Sequence, residues 1–426
     1  MTQLATQPAL RPLRADRSSA PCSMALLLVS IFLQRLAIPL GADQIPLGVP
    51  LALGIIVVGL ATGEFRIDSS KVRVLLVIWF TATACTLFQV ASGNLPSLLS
   101  LCLLLALYPL IGLAADLSAG GVAKVEDLFI RVMTVFSLVS LGQMAIQFVG
   151  VAYEDYLLRI VPEAFLLVGY NTGDPIAYGD PLYRSNGIVF LEPSFVSLFL
   201  GFAVALALFR HRSWFRVTIL LAGMIPPLAG SGFVVLGPAL IALALGRHRG
   251  RLLSALPALL IAIVVALVTP LGERYLDRSL EASNTNTSSS ARLVQPYGAL
   301  IPPALDDPLG AAFGHGAGSA DDYLLTVGKD QVTGPVIPKV LYEYGLVGAL
   351  GILAALIAFL GGQVRTRPWT VGLLVAYVYV NASFLQNTLV LVTLFWISLM
   401  PARPAPDDAG ELLAAPVDEE QDTTRT

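Results

Sequence analysis

The sequence predicts an all-α polytopic membrane protein with about a dozen spanning helices. Composition is the first reason: 56% of the 426 residues are hydrophobic, only 13% are charged, and mean hydropathy is +0.76. Soluble domains carry about 25% charged residues, so the bilayer must be the solvent for most of this chain. The second reason is that apolar runs of spanning length recur from end to end. The third is that lysines and arginines fall on alternate connections between those runs.

A spanning helix needs roughly 17–25 apolar residues. That ruler places spans at 24–40, 47–63, 74–92, 97–115, 128–150, 187–209, 217–230, 232–246, 252–270, 337–362, 369–385 and 387–400. Three of them, 217–230, 232–246 and 387–400, are short. Pro226-Pro227 and Gly230-Ser231-Gly232 interrupt what would otherwise be one long run. That run and 369–400 also fit hairpins or re-entrant segments, which lowers the count toward ten. Basic, Pro-rich residues before Met24 resemble the start of a signal peptide, but no small-residue cleavage site follows, so an uncleaved first span is expected.

The positive-inside rule gives the orientation. With the N-terminus inside, Arg11, Arg14, Arg17, Arg66, Lys71, Arg73, Lys124, Arg210, Arg212, Arg216, Arg247, Arg249, Arg251, Arg365, Arg367, Arg403 and Arg425 all fall on the cytoplasmic side. The opposite face holds fewer, in longer loops, and Arg35 and Arg131 lie within spans. The expected organisation is a cytoplasmic segment 1–23, helices over 24–150, an outer loop 151–186, helices over 187–270, a large periplasmic loop 271–336, helices over 337–400 and a disordered acidic cytoplasmic tail 401–426. The protein is therefore expected in a bacterial inner membrane, multi-pass, with both termini cytoplasmic. Cys22, Cys85 and Cys102 lack metal-ligand spacing and read as small apolar residues. No metal and no cofactor is expected. A net charge of −3 gives no reason to expect nucleic acid.

Four places carry chemistry. Arg184 stands where the first outer loop meets the membrane, and Glu192, followed by Pro193-Ser194, is expected about one and a half turns into the next span. A carboxylate there needs a partner or a wet cavity, and Arg184 is the obvious partner. Arg292 lies in a loop where Glu273, Asp277, Glu281, Asp306, Asp307, Asp321, Asp322 and Asp330 outnumber Arg274, Arg278, Arg292 and Lys329. An anionic ligand in that loop needs specific arginines, and guanidinium binds phosphate oxygens bidentately. Gly314-His315-Gly316 permits close backbone approach, but no strand precedes it and no helix is evident after it, so a nucleotide fingerprint is excluded. Pro338 opens the next span; Lys339 and Glu343 lie one turn apart, with Tyr342, Glu343 and Tyr344 expected at the outer interface.

Taken in order, Arg184-x-x-Gly187, Glu192-Pro193-Ser194, Gly230-Ser231-Gly232, Arg292 with Ala299-Leu300 and Pro308-Leu309-Gly310, Gly314-His315-Gly316 and Glu343-Tyr344-Gly345-Leu346-Val347-Gly348 resemble the superfamily of Wzy-type polysaccharide polymerases and O-antigen ligases. The resemblance covers most of the chain by topology and about 187–350 by motif. It implies a GT-C-like helical architecture and metal-independent transfer of a glycan from undecaprenyl pyrophosphate. Arg184 and Arg292 become candidate pyrophosphate clamps, and Glu192 a candidate base or a residue that orients Arg184. His315, Tyr342 and Glu343 become candidate substrate contacts. Membrane lipid and the lipid-linked oligosaccharide are the implied partners, alongside a chain-length regulator and flippase of the same pathway. Ligases carry a histidine about twenty residues before the Gly-Leu-x-Gly segment; here that region reads Asp321-Asp322-Tyr323, and His315 stands too early. Gly230-Ser231-Gly232 also lacks the arginine that often follows in relatives. The expectation is a polymerase for exopolysaccharide, capsule or O-antigen. The alternatives are a ligase-type transferase, a flippase or other transporter, and a nonenzymatic scaffold. Transporters favour paired halves and midplane charges, which here amount to Arg35 and Arg131.

Overall fold

The computed structural model describes residues 19–40, 43–176, 180–210, 213–246, 288–329, 332–364, 366–381, 383–385 and 387–400, with 250, 260 and 264. The predicted span 252–270 apart from 260 and 264, the first part of the large loop and the acidic tail lie outside the described residues. What is described is mostly helical. It begins with α1 (Pro21–Phe32), α2 (Gly48–Thr62), α3 (Ser69–Ala91), α4 (Leu98–Leu107), α5 (Ala119–Phe148), α6 (Pro193–Phe209), α7 (Trp214–Gly223) and α8 (Ser231–Leu245). Short helices Ser288–Leu293, Gln295–Leu305, Pro308–Phe313 and Ser319–Thr326 follow, then the long helix Val336–Gln363, and finally Thr370–Val375 and Asn387–Ser398. Two small antiparallel hairpins, Ala37–Leu40 with Asp43–Pro46 and Phe65–Ile67 with Leu113–Ala115, tie connections together.

Every predicted apolar run that is described contains a helix, yet many helices are shorter than the run. Among the described residues, Ser69–Ala91, Ala119–Phe148 and Val336–Ile357 are long and apolar enough to cross a membrane, while the other apolar helices have 10–17 residues. Only 33–44% of those three segments is buried, so their outward faces are apolar. Phe80 and Val135 are exposed apolar side chains on two of these segments, and Val57 and Leu99 on the shorter α2 and α4.

The shortening has local causes. The run 24–40 leaves the helix after Phe32 and ends in a hairpin, which puts Arg35 in a connection rather than in a span. The run 187–209 becomes helical only at Pro193, because Gly187 and Ile188 have φ of +63° and +70° and Glu192 is extended at −149°. Glu192 therefore caps α6 instead of lying inside it. In the large loop, a helix begins at Ser288, and a helix does follow Gly314-His315-Gly316.

α6 is the buried axis, with all of Phe195–Phe209 inaccessible. It meets α8 backbone to backbone: a Cβ added to Gly201 would stand 2.3 Å from the Gly232 carbonyl oxygen, and one on Gly232 would stand 2.3 Å from that of Ser197. Glycine is needed there for close approach, and this gives the Gly230-Ser231-Gly232 break its role. Phe202 of α6 packs with Phe129, Trp369 and Trp396, tilted against Phe129 and edge to face with the two tryptophans, with ring centroids 5.4–5.5 Å apart. Arg131 lies on α5 but is exposed, and interior charge extends beyond Arg35. Lys71 is fully buried and donates to the carbonyls of Leu113 and Ile397 at 2.9 and 2.8 Å. Glu126 is buried 3.3 Å from Arg210. Glu64 accepts from the Cys22 and Ser23 amides at 2.9 and 2.7 Å, where a carboxylate complements the N-terminus of α1.

Candidate functional site at the start of helix six

The segment entering α6 is shaped by the last turns of α5. Gln143 and Gln147 stand one turn apart and face the same connection. Gln143 Oε1 accepts from Ser185 Oγ at 2.5 Å and from the Gly187 amide at 2.9 Å. Gln147 pairs with Tyr183 through both backbone groups, accepting its amide at 2.7 Å and donating to its carbonyl at 3.0 Å. The Ile188 amide then donates to Asn186 Oδ1 at 2.9 Å. These bonds hold a turn in which a β-branched residue adopts φ +70°, a conformation that surroundings must impose.

Emerging from that turn, Glu192 receives Arg292 from one hundred residues further along the chain. Arg292 Nη1 donates to Glu192 Oε2 at 2.7 Å and Nη2 to Oε1 at 2.9 Å, a bidentate pair. Ser194 Oγ lies 3.1 Å from Glu192 Oε2 and 3.4 Å from Arg292 Nη1, and the Asn171 amide lies 3.4 Å from Oε1. Ser231 Oγ donates to the Ser194 carbonyl at 2.6 Å, joining the break between α7 and α8 to the same spot. The Glu192 side chain is 9% exposed and that of Arg292 33%. A guanidinium has five N–H donors, and Glu192 engages only part of the fork. The α6 N-terminus adds a favourable field for an anion beside it.

Arg184 has a different partner from the one expected. Its side chain, 10% exposed, pairs with Asp174, and its amide donates to the Asp174 carbonyl at 2.9 Å. Glu192 thus positions Arg292 and not Arg184. A further pair holds the turn before Glu192: Arg35 forks onto Asp155 and sends Nη1 to the Ile188 carbonyl at 2.9 Å. Asp155 also accepts from Thr172 Oγ1 at 3.0 Å and the Leu157 amide at 3.2 Å. Burial would raise its pKa, but the Arg35 hydrogen bonds and charge, with those two donors, hold the carboxyl below its ordinary value.

His315, Tyr342 and Glu343 form a separate cluster. The His315 ring stacks on Tyr342 with centroids 4.4 Å apart, and its amide donates to the Tyr342 carbonyl at 2.9 Å. Tyr323 lies against the same tyrosine at 5.2 Å. The long helix breaks at Gly345 (φ +64°), where its backbone meets Gly314; a Cβ on either would collide with the other's strand of chain at 2.3–2.4 Å. Lys339 lies 2.5 Å from Asp321 and 3.7 Å from Glu343, so the expected one-turn pair exists. Glu343 and Tyr344 are fully buried, however, and do not face an interface.

Sequence reading missed Asp155, Asp174, Gln143 and Gln147. Polar pairs four residues apart near the end of an apolar run, as Gln143 and Gln147 are, were a usable signal. The pairing of Arg35 with Asp155 left none, since 120 residues separate them. No protein-family model matches this chain, and a search of curated proteins finds no match to it.

Proposed function

We propose that this protein is a polytopic inner-membrane glycosyltransferase of the Wzy type. In this reading it joins undecaprenyl-pyrophosphate-linked oligosaccharide units into a polysaccharide at the periplasmic face. The observation that carries the reading is the Glu192–Arg292 pair: a bidentate, partly open guanidinium held at the N-terminus of a buried helix, where two long polar segments of the chain meet. Apolar helices on either side supply the membrane setting.

The chemistry asked of this site is modest. A lipid pyrophosphate is already a good leaving group, so transfer needs charge stabilisation as the bond from the glycosidic carbon to phosphate oxygen breaks. The acceptor hydroxyl oxygen bonds to that carbon, its proton passing to the departing pyrophosphate. Arg292 supplies that charge with donors Glu192 does not engage. Glu192, whose two oxygens are taken up by the guanidinium, acts as the group that orients it. Arg184, closed on Asp174, braces the loop.

Substituting Arg292 by alanine and by lysine in cells that make the polymer tests the reading. Single repeat units should accumulate on lipid at the outer face, with lysine restoring only part of the polymer because it lacks the fork. Retention of units inside would point to a flippase instead, and polymer of normal length from both variants would remove the assignment.

A further inference from the structure

Glu192 and Arg292 account for the exposed part of the site, yet the most constrained residue nearby is neither. Ile188, in the left-handed region at φ +70°, is followed four residues later by Glu192. Its carbonyl accepts from Arg35 at 2.9 Å, and the same guanidinium forks onto Asp155. Arg35 is 4% exposed, so this bond is made away from competing water. The Leu167 amide donates to the Arg35 carbonyl at 2.8 Å, fixing where the guanidinium starts.

Asp155 continues the connection on the other side of the carboxylate. Its second oxygen accepts from Thr172 Oγ1 at 3.0 Å, and the neighbouring Asn171 amide points at Glu192 Oε1 at 3.4 Å. One buried ion pair therefore holds both the turn that leads into Glu192 and the strand of loop that lies beside it. Nothing in the proposed transfer uses Arg35 directly.

We infer that Arg35 and Asp155 are positioning residues: they hold the strained Gly187–Ile188 turn and the Asn171–Thr172 segment so that Glu192 presents Arg292 to an anionic ligand. This rests on the pyrophosphate-binding role given to Arg292. It carries a specific corollary. Glycine adopts positive φ without the penalty that isoleucine meets, so relieving the strain at position 188 should make the Arg35 bond to its carbonyl dispensable.

The test measures binding of inorganic pyrophosphate to the purified full-length protein in detergent by titration calorimetry, together with its thermal midpoint. R35K keeps a cation beside Asp155 but loses the reach to the Ile188 carbonyl, and R35Q loses both. Each should weaken pyrophosphate about tenfold, the scale expected when a group is displaced by a fraction of an ångström. Adding I188G to R35K should return affinity to near wild type, while I188G alone should leave it unchanged. A purely structural role for Arg35 would lower the midpoint without selective rescue by I188G. Should R35Q not fold, R35K with and without I188G decides the matter. Wild-type affinity in R35K, or no recovery in R35K/I188G, overturns the inference. Absence of pyrophosphate binding in the wild type, or binding that survives R292A, would instead overturn the role of Arg292 on which it stands.

Discussion

Arg184 and Arg292 look alike in the sequence, each an arginine in an outer loop with a carboxylate to meet. In the folded chain they do different work. Arg184 is closed on Asp174, ten residues before it, and almost inaccessible, with its backbone tied to the same residue. Arg292 reaches one hundred residues back to Glu192 and keeps a third of its side chain exposed. The first pair stabilises a loop; the second brings two parts of the chain to one point and leaves part of the Arg292 guanidinium side chain exposed. Exposure and sequence separation, more than residue type, distinguish a brace from a site.

The contrast can be attacked from either side. The largest effect after loss of Arg292 itself should come from E192Q, which keeps the shape of the side chain and removes its charge. Loss of such an orienting partner lowers activity roughly tenfold to a hundredfold, measurable as the rate at which lipid-linked units are joined, with little change in thermal midpoint. R184A should show the reverse pattern. It leaves Asp174 without its cation, which costs roughly 1–3 kcal/mol, and its midpoint should drop while transfer per folded molecule falls far less than in E192Q. Equal activity losses in the two variants would erase the distinction drawn between the pairs.

The smallest effect concerns pH. Asp155 has a carboxyl held below its ordinary value in the folded protein, so the stability it contributes is present above the unfolded value of about 3.9. That contribution disappears as pH falls toward the lowered folded value. Thermal midpoints of wild type and D155N should therefore converge on acidification below about pH 4. A gap that stays constant or widens there would show that Arg35 does not stabilise the ionised form.

Much of this was legible in the sequence, for identifiable reasons. Apolar runs gave the positions of the helices because burial in lipid or protein demands the same residue types. Their lengths were not legible, because a run such as 24–40 continues through a hairpin, and 187–191 stays apolar through a left-handed turn. Glu192 was visible as a carboxylate in an apolar run, and Arg184 and Arg292 as arginines in polar segments. Their pairing was not, since choosing Arg292 over Arg184 for Glu192 depends on where the Ser288–Leu293 helix packs. His315, Tyr342 and Glu343, read from the sequence as separate candidate substrate contacts, build the contact between the Gly314 turn and the Gly345 break.

The most direct measurement is the joining of undecaprenyl-pyrophosphate-linked oligosaccharide by the purified protein in lipid nanodiscs, with wild type, R184A and R292A compared at matched folded concentration. Wild type should produce a ladder of joined units, R184A a ladder as well, and R292A should be slower by at least about a hundredfold. A full ladder from R292A at the wild-type rate would contradict the account.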